Sequence, residues 1–377
     1  MLKVGLIGCG GMGTMHANCY KNLEGVELVA LADLIPEKAQ ALAAGTNAQI
    51  YASGKELLEQ AQVDVIDICL PTYLHAEHAL AAMDKVKYVF VEKPVTLTVA
   101  EADAMLEKSK ATGCQVQVGQ VIRFWPEYMV LRDIIKSRKY GSVLNANFRR
   151  ISPRPAWSWN NWFLQTELSG GAAQDLHIHD ADFVLSVFGQ PEKVLSMRNR
   201  KGEKNSYINT LMQYDDFVVS VEGTWDLPVS HPFQASFRVA FEKAAVEMGN
   251  GKFQLFTDEG VEDIPLEEKA LTVAEGGVKG NISDLGGYYN ELYYFTRQAI
   301  AGAPIEQAAL ADAVESLKFV LEKELGKLQN VRVAGMERRI FYVAWWKAAG
   351  ASRKPYGCGD EIGLAGVLQS AANLLIL

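Results

Sequence analysis

Over the first 120 residues, short and nearly unbroken apolar runs alternate with segments of helical period. The runs 2–7, 26–32, 63–70, 88–91 and 115–118 read as strands, and their continuous apolar character fits strands covered on both faces of a parallel sheet. The stretches 36–44, 76–83 and 99–111 carry helical spacing between them. Such alternation predicts a doubly wound α/β domain over residues 1–122. Beyond about residue 140 the pattern changes. Runs at 143–151, 194–200, 207–214, 217–225 and 236–241 are longer and partly alternating, and the last three follow one another without long helices between them. That pattern predicts a mostly antiparallel sheet, open to solvent on one face, in an α+β domain spanning 123–333. Helices are expected at 173–187, 288–301 and 310–325. Residues 334–377, with Trp345-Trp346 and an apolar end, read as an extra tail of unknown role.

Composition narrows the partners. The chain has 377 residues, 22% of them charged, with a formal net charge of -8 and a sequence pI near 5.4. An acidic surface repels phosphate backbones and anionic lipid heads, so neither nucleic acid nor a membrane surface is expected to bind. The five cysteines (Cys9, Cys19, Cys69, Cys114 and Cys358) form no CxxC pair and have no regular spacing. A disulfide framework and a structural zinc site are therefore not expected. The opening apolar run breaks at once into glycines, unlike a signal peptide, and no apolar stretch reaches the roughly 18 residues of a membrane span. The expected location is the cytoplasm.

The strand 2–7 runs straight into Gly8-Cys9-Gly10-Gly11-Met12-Gly13. In this position each glycine has a task. Gly8 permits a tight turn, Gly10 lets backbone approach a pyrophosphate, and Gly13 lets the following helix pack closely on the strand. The loop, including Gly11 and Met12, would then present free N–H groups at a helix N-terminus to phosphate. Asp33 ends the second strand, where a carboxylate can accept the two ribose hydroxyls. Leu34 and Ile35 supply no cation for a 2′-phosphate. NAD is thus expected as cofactor, with NADP left possible by Lys38.

Two further clusters carry chemistry. Strand 88–91 ends in Glu92-Lys93-Pro94, at the carboxyl end of a parallel strand where α/β sheets bind ligands. Pro94 could fix a cis peptide there. Farther on, Gly170-Gly171 leads to Asp175, His177, His179, Asp180 and Asp182. On a helix Asp175 and His179 are i and i+4 and share a face, the arrangement in which an acid orients an imidazole for proton transfer. Two histidines among acids could also hold a metal or form a core pair. His177 and His179 would point apart on a helix, however, so no metal site is expected.

Taken together, the glycine loop, Pro71-Thr72-Tyr73-Leu74-His75, Glu92-Lys93-Pro94 and the Gly170–His179 stretch resemble the Gfo/Idh/MocA oxidoreductases, named for glucose-fructose oxidoreductase, inositol dehydrogenase and a rhizopine catabolism protein. The resemblance covers residues 1 to about 333. It implies a Rossmann domain followed by an α/β domain whose open sheet packs between subunits. It further implies Lys93 as catalytic lysine, with Asp175 and His179 handling the hydroxyl proton. Pro71, Thr72, His75 and Glu92 are implied beside the cofactor, and Arg123 falls in a stretch that lines the site. Trp157 and Asn161, in a segment mixing indoles with amides, are candidate sugar contacts, and Tyr288 to Glu291 are further polar candidates.

The expected activity is NAD(P)-dependent hydride transfer between a nicotinamide and a secondary hydroxyl or ketone of a sugar or cyclic polyol. Two rivals keep the cofactor: a redox-neutral glycosidase with tightly bound NAD, and a dinucleotide-binding sensor without turnover. A homodimer or homotetramer built on residues 194–255 is expected, because apolar residues on an open sheet need a cover.

Overall fold

A computed structural model describes residues 1–199, 206–266 and 286–326. The extra tail at 334–377, with Cys358, lies outside them. The first sheet has six parallel strands: β1 (Leu2–Ile7), β2 (Val26–Ala32), β3 (Gln49–Tyr51), β4 (Val65–Ile68), β5 (Tyr88–Val91) and β6 (Gln115–Val118). Their order is β3-β2-β1-β4-β5-β6, which reverses direction at β1. That reversal opens a crevice at the carboxyl ends of β1 and β4, where doubly wound sheets bind ligands. Helices α1 (Gly11–Lys21), α2 (Pro36–Ala43), α3 (Gly54–Gln60), α4 (His75–Ala82) and α5 (Val99–Thr112) make the crossovers. Strands β4 and β5 are buried throughout, as their almost wholly apolar residues require, with Asp67 of β4 the exception in residue type.

The second sheet has eight strands: β7 (Val143–Pro153), β8 (Lys193–Arg198), β9 (Tyr207–Gln213), β10 (Val218–Leu227), β11 (Gln234–Phe241), β12 (Ala245–Gly249), β13 (Lys252–Thr257) and β14 (Gly260–Asp263). The order is β14-β13-β12-β11-β7-β10-β9-β8. All pairs are antiparallel except β7 with β10, which run parallel. One face is covered by α6 (Pro126–Ser137) and by α8 (Ile178–Phe188), which follows the short α7 (Thr166–Ser169). Tyr128 of α6, Phe183 of α8 and Phe237 of β11 pack edge to face, with ring centroids 4.9 and 5.1 Å from Tyr128. The phenylalanines, valines and tryptophan of these strands mostly turn to this covered face. The open face instead carries Leu195, Met197, Leu211 and Val218 near the β8 edge.

Two late helices return to the first sheet. In α9 (Gly286–Ala301), Leu292 and Phe295 are fully buried in the same core as Tyr20 of α1 and Phe90 of β5. Phe90 and Phe295 meet edge to face at 5.5 Å. The last described helix, α10 (Leu310–Lys318), continues as a π-helical stretch, Phe319–Leu325. None of the described helices is long and apolar enough to cross a membrane.

Candidate active site

A cleft of about 830 Å³ runs from the glycine loop to the covered face of the second sheet. Gly8, Gly10, Gly11 and Met12 line one end, with Asp33, Pro71 and Lys38. Gly8 has φ +97°, and a Cβ there would meet the Cys69 carbonyl at 2.5 Å. Gly13 does not line the cleft. A Cβ on it would run into the Gly8 carbonyl, so its task is close helix–strand packing. A Cβ on Gly10 would meet nothing within 4 Å, so the space before it is open to a ligand. Gly10 at the N-cap of α1 has no side chain to cap the helix, which leaves N–H groups there for an anion. Asp33 is held by the loop itself: the Cys9 N–H donates to Oδ2 at 2.7 Å and the Ile35 N–H to Oδ1 at 2.8 Å. Each carboxylate oxygen keeps acceptor capacity for a ribose hydroxyl. These residues fit a dinucleotide, pyrophosphate at the loop and ribose at Asp33. Thr72 and His75, expected beside the cofactor, are buried behind the cleft. The two ring nitrogens of His75 lie 2.9 Å from the Pro94 carbonyl and 2.8 Å from that of Leu70, tying the two strand ends together.

The other end of the cleft collects Lys93, Asp175 and His179. The Lys93–Pro94 peptide is cis. Lys93 Nζ donates to the backbone oxygen of Asp175 at 2.7 Å and to its Oδ1 at 2.8 Å. An ammonium has three donors, so one stays available for a bound oxygen. Asp175 therefore pairs with Lys93 and makes no hydrogen bond to the His179 ring, against the expectation that it orients the imidazole. The reason is local. Residues Ala173–His177 form a π-helical turn, so the i,i+4 stacking of an α-helix does not hold there. The turn is fixed from below. Gly223 of β10 lets it approach so closely that a Cβ would sit 2.7 Å from that of His177. His177 Nε2 also meets Glu324 Oε1 at 2.9 Å, both buried. His179 Nδ1 is buried without a hydrogen-bond partner among the described residues. Burial, then the nearby charges of Lys93 and Arg150, hold the His179 pKa well below the ordinary imidazole range. Both causes favour the neutral imidazole.

Beneath the cofactor end lies a buried ionic cluster that the sequence reading missed. His16 Nδ1 is 2.8 Å from Asp67 Oδ2 and 3.2 Å from Cys69 Sγ, while the Tyr20 hydroxyl donates to the same Asp67 oxygen at 2.8 Å. His16 Nε2 lies 3.1 Å from Glu92 Oε1, an ion-pair contact outside aligned hydrogen-bond geometry. Burial opposes the imidazolium, but Cys69 and Asp67 outweigh it and raise the His16 pKa well above normal. Burial would raise Glu92, but His16 and Lys93 prevail and lower its pKa. Glu92 Oε2 accepts the Lys93 N–H at 3.0 Å, linking the cluster to Lys93. Donor atoms of His16, Asp67 and Cys69 lie within 4.8 Å of one another. The 2.8 Å contact between His16 and Asp67 is a hydrogen bond, shorter than the roughly 3.2–3.7 Å between ligand atoms that tetrahedral bonds of about 2.0–2.3 Å imply. The signal was available: Asp67 is one acid in an otherwise apolar strand, and His16 follows Gly13 by one helical turn.

Two candidate substrate residues fall elsewhere. Arg123 does not line this cleft. Its guanidinium is committed to Asp182, at 2.7 Å through both Nε and Nη2, and to Asp312 at 2.7 Å. Asn161 is exposed and also off the cleft lining, at φ +51°. Trp157 does line it, together with Arg150. Arg150 Nε donates to Asp180 Oδ2 at 2.8 Å, and its guanidinium lies 5.7 Å from the Trp125 ring centre. Of the later candidates, Tyr288 lines the cleft, Asn290 donates to the Phe124 carbonyl at 3.1 Å, and Glu291 is fully buried with its pKa raised by burial.

This pairing of a dinucleotide-type sheet with a second, mostly antiparallel sheet is the architecture that the comparisons identify. Residues 2–120 match the oxidoreductase family with NAD-binding Rossmann fold, and residues 128–247 match the GFO/IDH/MocA C-terminal domain. The chain belongs to this oxidoreductase family, and its first domain is an NAD-binding Rossmann domain. Myo-inositol 2-dehydrogenase of Thermotoga maritima is 28% identical over 192 residues, 50% of this chain and 55% of the relative. The 4-carboxy-2-hydroxymuconate-6-semialdehyde dehydrogenase of a Sphingobium strain is 35% identical over 135 residues, 36% of this chain and 43% of the relative. The chain thus spans about half the length of the curated relatives it matches. An NAD-binding oxidoreductase from Klebsiella pneumoniae shares the fold, with a TM-score of 0.74 at 20% identity over 87% of this chain and 97% of that one.

Proposed function

We propose that this chain is an NAD-dependent dehydrogenase that interconverts a secondary hydroxyl and a ketone on a sugar or cyclic polyol. The observation that carries the reading is the contact between Lys93 and Asp175, 2.8 Å apart across 82 residues of sequence, with the neutral His179 on the same cleft wall. Groups from two parts of the chain meet there, beside the cofactor end, with donor capacity to spare.

In the oxidative direction His179 takes the hydroxyl proton, for which its lowered pKa suits it. The third N–H of Lys93 steadies the oxygen as negative charge develops on it. Asp175 holds the lysine ammonium in place. NAD supplies the hydride acceptor when bound. In the reductive direction the imidazolium returns the proton to the ketone oxygen. The ribose-facing Asp33, with Leu34 and Ile35 after it, favours NAD over NADP, although Lys38 lines the same end.

The test is a screen of inositols, aldoses and glycosides against both cofactors, following absorbance of the reduced nicotinamide. Lys93→Met should lower kcat by about 10²–10³-fold, the usual loss when one donor to a developing oxyanion is removed. NAD affinity should barely change, as measured by quenching of tryptophan fluorescence. A variant with wild-type kcat would remove Lys93 from the chemistry.

A further inference from the structure

The substrate end of the cleft is walled by aromatic rings. Trp157 and Trp159 are 59% and 45% exposed, unusual for indoles, and both line the cleft. Trp162 stacks on Phe163, with centroids 4.1 Å apart and planes 27° from parallel. Phe163 in turn meets Trp157 edge-on at 5.2 Å and Trp225 at 6.4 Å. Trp225 is only 3% exposed, and its buried Nε1–H has no acceptor among the described residues. The wall therefore combines ring faces open to the cleft with a buried donor that lacks a partner. An unsatisfied buried N–H is costly and marks a place where a bound oxygen would restore the bond.

Charge on the same wall is already neutralised. Lys93 pairs with Asp175, and Arg150 with Asp180 at 2.8 Å, while Trp125 and Phe233 flank the Arg150 guanidinium at 5.7 and 6.0 Å. A phosphate or carboxylate would find little uncommitted cation there. The Ser152 hydroxyl donates to the Pro153 carbonyl and the Ser158 hydroxyl accepts the Phe163 N–H, so each keeps hydrogen-bonding capacity for a sugar hydroxyl.

We infer that the physiological substrate is an uncharged glycoside whose flat aromatic aglycone lies on the Trp157–Trp159–Trp162 wall, with the sugar ring at Lys93 and His179. This rests on the dehydrogenase reading and sharpens it. A ring carbinol loses its hydride to NAD and its hydroxyl proton to His179, giving a ketone. The glycosidic bond stays intact.

The test uses the NAD-saturated protein with D-glucose, D-galactose, and the methyl and 4-nitrophenyl β-glycosides of each. NADH formation is followed by absorbance and binding by calorimetry. The aryl glycoside should exceed its methyl counterpart by roughly tenfold or more in kcat/KM, about the loss of one good aromatic contact. The difference should lie mainly in KM. Trp162→Ala should bring the aryl-to-methyl ratio close to one, and Trp162→Phe should retain most of it. Equal kcat/KM for aryl and methyl glycosides would overturn the inference while leaving the dehydrogenase reading intact. Trp162-dependent binding of aryl glycosides without any NADH formation would support the aromatic subsite and overturn the redox reading. Aryl glycosides that neither bind nor react at millimolar concentration would overturn the inference.

Discussion

His179 and His16 are both buried imidazoles, yet their surroundings drive them in opposite directions. Burial disfavours a charge on His179, and the neighbouring cations Lys93 and Arg150 add to that effect. If it is the base, kcat/KM for oxidation should stay level down to pH 6.5 and fall only in more acid solution. Lys93→Met removes a repelling charge, so in residual activity the acid limb should move to higher pH. A wild-type limb at or above the ordinary imidazole value would contradict this assignment. His16 sits among Asp67, Glu92 and Cys69, and its folded-state pKa is raised. A group raised on folding contributes its full stabilisation below its unfolded pKa of about 6.5, and loses it as pH climbs through the folded value. Urea midpoints should therefore decline from pH 6.5 into the alkaline range. His16→Leu leaves Asp67 buried without its cation and should cost about 3–5 kcal/mol. A variant as stable as wild type would mean that the cluster carries no net pairing energy.

At the scale of elements, the loop between β1 and α1 makes a separable prediction. Gly10 faces open space, so Gly10→Val should keep the melting temperature close to wild type while weakening NAD binding by at least about tenfold. Gly13→Ala drives a Cβ against the Gly8 carbonyl, and should cost about 1–3 kcal/mol of stability. Equal effects of the two changes on stability would refute the division of labour between these glycines. The same elements show what the sequence made legible. Strands β1, β2, β5 and β6 were readable to the residue, because apolar positions dominate them and glycines, prolines or helical spacing bound them. The three-residue β3 and the half-exposed β12 to β14 were not, because short strands with mixed faces leave no periodic trace. Lys93, Asp175 and His179 were readable as motifs, but their pairing was not. A π-turn has no signature in residue type, and it moved Asp175 from the imidazole to the lysine. Arg123 and Arg150 look alike in sequence, and only partners 59 and 30 residues away decide which of them reaches the cleft.

For the whole molecule, self-association is expected at the open face of the second sheet. Leu195, Met197, Leu211 and Val218 are 43–66% exposed there. A symmetric dimer or tetramer is expected by light scattering at micromolar concentration, and Leu195→Lys with Leu211→Glu should shift it toward monomer. A wild-type monomer would exclude this face as an interface. The return of α9 to the first sheet has a consequence for biosynthesis. Leu292 and Phe295 complete a core begun by Val4, Leu6 and Tyr20. At about 5–20 residues per second, the ribosome needs on the order of ten seconds or more after finishing β6 to deliver that helix. Until then the nascent nucleotide domain carries an uncovered apolar groove along α1, a target for chaperones that bind chains still being translated.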